Sequence, residues 1–100
     1  MQITIHNSSD LNPNTIEVIN EKIGKLETFY DRIERAEVFL KEDDGSAANG
    51  HTVEARLHIP GNDVFADFTD PSIEKGITEV ADALRRQLLK HKAKHTHRHV

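Results

Sequence analysis

The sequence predicts an α+β fold in the order βαβββα, a four-stranded sheet with two helices packed on one face. Three observations lead there. Four short stretches alternate apolar and polar residues with a period of two, as a strand with one buried face requires. Two longer stretches repeat their apolar residues at intervals of three and four, as a helix with one buried stripe requires. The turn-forming residues fall between these stretches, and no linker or repeat divides the chain, so residues 1–100 are expected to form a single domain. A chain of 100 residues should bury about two-thirds of the surface it exposes when unfolded. With 36% hydrophobic residues and no Trp, its core has to come from Ile, Val, Leu and a few Phe.

The first strand is read from Met1, Ile3 and Ile5 alternating with Gln2, Thr4 and His6, and Asn7 to Asp10 ends it. Asn12 followed by Pro13 opens a helix, because Asn can accept a hydrogen bond from an orphan amide and Pro has no donor to lose at the first helical position. Ile16, Ile19, Ile23, Leu26 and Phe29 or Tyr30 trace its stripe, and the helix should end near Asp31. Ala36, Val38 and Leu40 mark a second strand; Val53, Ala55, Leu57 and Ile59 mark a third. Between them the acidic, turn-forming run from Glu42 to Gly50 reads as a long hairpin loop. Pro60-Gly61-Asn62-Asp63 makes a tighter turn into a fourth strand, with Val64, Ala66 and Phe68 on its apolar face. Asp70 or Ser72 then caps a final helix around Pro71, with Ile73, Ile77, Val80, Ala81, Leu84 and Leu88 as its stripe.

That last helix changes character along its length. The stripe stops after Leu89, and the chain continues as a basic, His-rich tail over about residues 90–100. From Leu84 onward there are six Lys or Arg and no acid, while the first 83 residues hold the other seven bases and all 17 acids. The net charge of −4 therefore hides about +6 set against −10. Lys and Arg in a last turn can simply complement the negative end of the helix dipole. Spread over some four turns without an interleaved acid, they make a surface for a polyanion, since cations that neutralise phosphates release condensed counterions. Arg85, Arg86, Lys90, Lys92 and Lys94 carry this surface, and Lys22 and Lys25 on the first helix join it if the two helices lie side by side. Glu21 and Glu27 could instead hold Lys22 and Lys25 in weak surface pairs.

Other chemistry is not encoded. Ser8, Ser9, Ser46 and Ser72 sit in turns with no nucleophile-elbow context. The five glycines are too scattered to cradle a phosphate. The absence of cysteine removes disulfides and thiolate chemistry. His91 and His95 have the i, i+4 spacing of a shared metal ligand, with His97 and His99 nearby, but interleaved cations repel a dication and no acid in the tail orients the imidazoles. No metal and no cofactor are expected. His6 and His58 should be exposed strand histidines. Phe39 and Phe65 point away from the core, and we expect them to be structural, because a base-stacking platform of the RRM type would need a different element order. No basic segment precedes an apolar stretch at the start, and no run reaches membrane-spanning length, so a cytoplasmic protein without a membrane partner is expected.

Several pieces, in this order and spacing, resemble the short form of the bacterial ribosome hibernation-promoting factors, also labelled ribosome-associated inhibitors or sigma-54 modulation proteins. They are Met1-Gln2-Ile3, Lys22 with Lys25-Leu26-Glu27, Tyr30-Asp31-Arg32-Ile33, Leu57-His58, and Arg86-Gln87-Leu88 with Lys90-His91-Lys92. The resemblance spans nearly the whole chain. It implies a sheet with two parallel helices on one face, similar to double-stranded-RNA-binding domains. It also implies a non-enzymatic factor that binds the decoding channel of the small ribosomal subunit and reversibly inhibits translation under stress or in stationary phase. Lys22, Lys25, Arg86, Lys90 and Lys92 would then be contacts to ribosomal RNA. One departure is that the family commonly carries Asp-Met/Leu-Tyr entering the second helix, where this chain has Ser72-Ile73-Glu74. A chain ending at Val100 is expected to lack the additional domain of the long forms, in which case pairing of ribosomes would need a separate dimerising factor. Two rival readings are an RNA-binding regulator of a structured messenger and a sigma-factor-interacting module.

Overall fold

The computed structural model describes residues 1–7, 12–42 and 50–97. In chain order these form β1 (Gln2–Asn7), α1 (Pro13–Gly24), a 3-10 turn (Lys25–Thr28), β2 (Arg35–Glu42), β3 (His51–Ile59), β4 (Asn62–Asp70) and α2 (Ile73–His97). β1 and β2 pair in parallel, with Ile3 opposite Ala36 and Ile5 opposite Val38. Parallel pairing obliges the chain to return to the same end of the sheet between the two strands, and α1 makes that return. β2, β3 and β4 follow as antiparallel neighbours, giving the sheet order β1-β2-β3-β4.

The expected start of α1 is present. Asn12 accepts from the Asn14 amide at 2.9 Å, and Pro13 takes the first helical position. The single helix predicted to reach Asp31 instead tightens after Gly24. There the Thr28 hydroxyl donates to the Lys25 carbonyl at 2.7 Å, and the amides of Phe29 and Tyr30 both turn back to Leu26. A 3-10 turn in this place satisfies carbonyls that a helix end leaves open. α2 begins at Ile73, two residues after Pro71, as the second of the two expected caps, Ser72, requires. Ser72 Oγ accepts from the Lys75 amide, while Asp70 accepts from the Ser72 amide. Ser72 is therefore the cap, and Asp70 secures the turn before it.

The β3–β4 connection is Pro60-Gly61, flanked by the Ile59–Asn62 pair. Gly61 has φ of +79°, a conformation open to glycine at little steric cost. Gly76 answers a different need. A Cβ there would lie 3.1 Å from Val53 Cγ2, so glycine lets α2 approach β3 closely, at a cost to the helix of about 1 kcal/mol relative to Ala.

α2 lies over β3 and β4 and beside α1. Ile77, Val80, Leu84 and Leu88 on its stripe are buried, together with Ile19, Ile23 and Leu26 from the first helical segment and Val38, Val53, Ala55 and Leu57 from the sheet. Phe68 departs from expectation. It shares the parity and the strand of Val64 and Ala66, which are buried, but is itself 36% exposed. The acidic loop expected at 42–50 lies mostly outside the described residues.

Candidate nucleic-acid interface

Contacts at both ends fix the relative direction of the two helices. At their starts, Asn14 Nδ2 donates to Glu74 Oε1 at 3.0 Å. At their far ends, the Arg85 guanidinium lies 5.5 Å above the Phe29 ring and Tyr30 meets His91 edge-on at 5.7 Å. α1 and α2 therefore run parallel, and the end of α1 lies beside the second half of α2. The side-by-side arrangement needed to unite the basic residues is met.

Helical periodicity then assigns each cation a flank. Asn14, which reaches α2, is followed at four-residue steps by Val18 and Lys22 and three residues later by Lys25, so both lysines sit on the flank facing α2. On α2, Arg85 and Lys92 follow Glu74 by 11 and 18 residues, which returns them to within about 20° of its direction. Lys22, Lys25, Arg85 and Lys92 thus border one end of the groove between the helices. Arg86 and Lys90 form a second track at i, i+4 on the outer side. Lys94 continues that spacing, with its side chain outside what is described. Leu89, 43% exposed, lies between the tracks and marks the end of the buried stripe.

Lys22, Lys25, Arg85, Arg86 and Lys90 form no ion pair with another described residue. The carboxylate that might have neutralised Lys25 is used elsewhere, since Glu27 pairs with the Met1 amino group at 2.7 Å. Glu74 does face the inter-helix groove, but about 16 Å along the axis from Arg85, at 1.5 Å per residue. Its repulsion of a phosphate at the basic end is weakened by that distance, which exceeds a Debye length at physiological salt. Sequence reasoning misses Phe29 and Tyr30 as supports for Arg85 and His91. Their position directly after the basic turn of the first helical segment is the available signal.

The sheet's open face has a different character. Glu37 accepts from His58 at 2.7 Å and lies 3.4 Å from His6, while His58 also meets Asp63 at 3.3 Å. His58 is only 16% exposed at its side chain, so the expectation of an exposed strand histidine is corrected for it. Its neighbours on β2 and β4 enclose it. The hydrogen bond from His58 holds the Glu37 carboxyl below the usual carboxylate range, helped by the charge of His58, a hydrogen bond from His6 and the charge of Arg35, against an opposing effect of burial. Phe39 stacks on His6 at 4.6 Å, and Arg56 lies 5.7 Å over Phe65. The two outward phenylalanines have partners within the protein. Among the described residues no cluster of His, Asp and Glu could hold a metal ion, and no described helix is long and apolar enough to cross a membrane.

The family described as Sigma 54 modulation protein / S30EA ribosomal protein matches residues 1–96. The chain belongs to this family. It is 34% identical over 95 residues to the ribosome hibernation promoting factor of Escherichia coli strain K12, covering 94% of this chain and 96% of that protein. It is 32% identical over 94 residues to the factor of the same description from Klebsiella oxytoca, with 94% of each chain covered. A ribosomal subunit interface protein from Coxiella burnetii superposes with a TM-score of 0.82 at 21% identity, over 93% of this chain and 99% of that one. The N-terminal domain of Thermus thermophilus Protein Y does so with a TM-score of 0.76 at 18% identity, over 91% and 99%. These two structures share the fold. The geometry has the four-stranded sheet and two helices expected from the sequence.

Proposed function

We propose that this chain is a cytoplasmic ribosome hibernation factor that occupies the decoding channel of the small ribosomal subunit and reversibly inhibits translation under stress or in stationary phase. The observation that carries the reading is the placement of Lys22 and Lys25 beside Arg85, Arg86, Lys90 and Lys92, the last four in a stretch of α2 without a single acid. An extended cationic surface suits folded RNA recognised by phosphate position and shape. The ribosome hibernation promoting factors to which the chain is about one-third identical support ribosomal RNA as that partner. No bond is made or broken. Inhibition follows from occupying a channel that messenger and transfer RNA would otherwise use, and release needs only that the phosphate contacts be outcompeted.

The test combines sedimentation of purified small subunits with chemical footprinting. Co-sedimentation that weakens with salt, protection of decoding-channel nucleotides and a translation block relieved by high-salt washing are the expected results. Binding to free structured RNA but not to subunits would favour a messenger regulator. Binding that survives complete ribonuclease digestion of the partner would favour a protein-interaction module.

A further inference from the structure

Gln87 lies within Arg86-Gln87-Leu88, between a basic residue and a buried one, and contributes no charge of its own. Its amide meets one residue of β4 with both of its ends. Nε2 donates to the Phe65 carbonyl at 2.6 Å, and the Phe65 amide donates to Oε1 at 3.3 Å. β4 is the last strand of the sheet, so outward-pointing backbone groups on it have no strand to pair with. The Gln87 side chain takes the place of a neighbouring peptide and closes the edge at Phe65.

The location of this contact gives it a second consequence. Leu88 is the last buried residue of the α2 stripe among the described side chains and Leu89 is already exposed, so this is where the helix leaves the sheet. On one side α2 is held here by Phe29 under Arg85 and Tyr30 against His91; on the other, by Gln87 on Phe65. A rotation of about 15° at this point would carry the backbone at His97, some 15 Å further along the axis, by about 4 Å. That exceeds the range over which a charge-assisted hydrogen bond holds its geometry.

We propose that Gln87 is a positioning residue for the basic end of α2. It sets the direction in which the helix leaves the sheet, and with it the spacing between the α1 pair Lys22 and Lys25 and the cations beyond Lys90: the same rotation would carry the backbone at Lys94, about 10 Å along the axis, by roughly 3 Å. The consequence for binding rests on the ribosomal reading above; the orientation itself does not. A fixed spacing matters because a splayed arm must be ordered on binding, and that ordering subtracts from affinity.

The absence of cysteine makes the test direct. Cysteines placed at the exposed positions Asn20 on α1 and Ala93 on α2 accept a unique pair of spin labels, and pulsed electron spin resonance reads their distance distribution. Gln87→Met keeps the side-chain length and removes both hydrogen bonds. Gln87→Glu, the second variant should the first fold poorly, keeps the acceptor for the Phe65 amide and sets a carboxylate against its carbonyl. In each the distance distribution should shift or broaden. Small-subunit affinity, measured well below the melting temperature, should fall about tenfold, as for removal of one hydrogen bond to a charged group. The slope of log affinity against log salt should shallow by about one as a phosphate moves out of reach. An unchanged distance distribution in a folded variant overturns the proposal whatever the ribosome result. A shifted distribution with unchanged affinity and slope overturns it as well. Failure of the unsubstituted chain to bind small subunits would count against the ribosomal reading, and the distances would still decide the orientation.

Discussion

The two halves of α2 are one continuous helix with opposite relations to water. Through Leu84 its stripe is sealed against β3 and β4, and its other faces carry Glu74, Glu79 and Asp82. From Arg85 it carries only basic charge, and its last buried leucine is Leu88. The same 3.6-residue repeat serves both halves, so secondary structure alone distinguishes nothing. What differs is whether the sheet lies beneath. Stability should reside in the first half and affinity in the second, with the collar of Phe29, Tyr30 and Gln87 as the boundary.

The largest expected effect breaks the first half. Leu84 is fully buried, and Leu84→Ala should cost about 2–5 kcal/mol, the range for truncating a buried leucine when the cavity cannot collapse. Denaturant unfolding gives this directly, and RNA affinity at low temperature should be nearly unaffected. Weakened binding by fully folded Leu84→Ala would mean that the halves are not separable.

An intermediate effect sharpens the second half. Arg86 and Lys90 are exposed, and replacing both with Ala should leave the melting temperature within a few degrees while reducing affinity at low salt by about 2 kcal/mol. The salt slope should shallow by roughly one unit for each phosphate that is no longer neutralised. The double variant should then approach the unsubstituted protein as salt rises. Equal affinity and equal slope would reduce this end of the helix to a solvated surface.

The smallest effect belongs to a region that should serve neither role. Glu37, on the open face, has its carboxyl held below the ordinary range chiefly by the hydrogen bond from His58. A group with a depressed folded value contributes stability above the ordinary carboxylate range and loses it as pH falls through the folded value. Glu37→Gln should therefore flatten the acid limb of the stability curve, with little change in RNA affinity at neutral pH. Acid limbs that coincide for the two proteins would show that the His58–Glu37 pair contributes nothing in solution.

Much of this molecule is legible without coordinates because its signals are local. Alternation in Val53, Ala55, Leu57 and Ile59 states which face of a strand is buried, and Asn12-Pro13 states where a helix starts, since each depends on the chemistry of adjacent residues. The basic character from Arg85 onward is equally local, and so are the cations named for the interface. Their assembly is not. That Lys22 and Lys25 border the same groove as Arg85 and Lys92 depends on parallel helices held by Asn14 on Glu74 and Phe29 on Arg85. These pairs join residues far apart in the chain, and no periodicity encodes such a pairing. Phe68 is exposed although Val64 and Ala66, of the same parity on the same strand, are buried, so parity alone does not state its burial. His58, read as a wet strand histidine, is enclosed because β2 and β4 bring Glu37 and Asp63 to either side of it. Gln87 belongs to a stretch that resembles the family, but its contact with Phe65 has no local signal, because a neutral amide on a helix acquires such a role only when a strand edge with open backbone groups is folded against it.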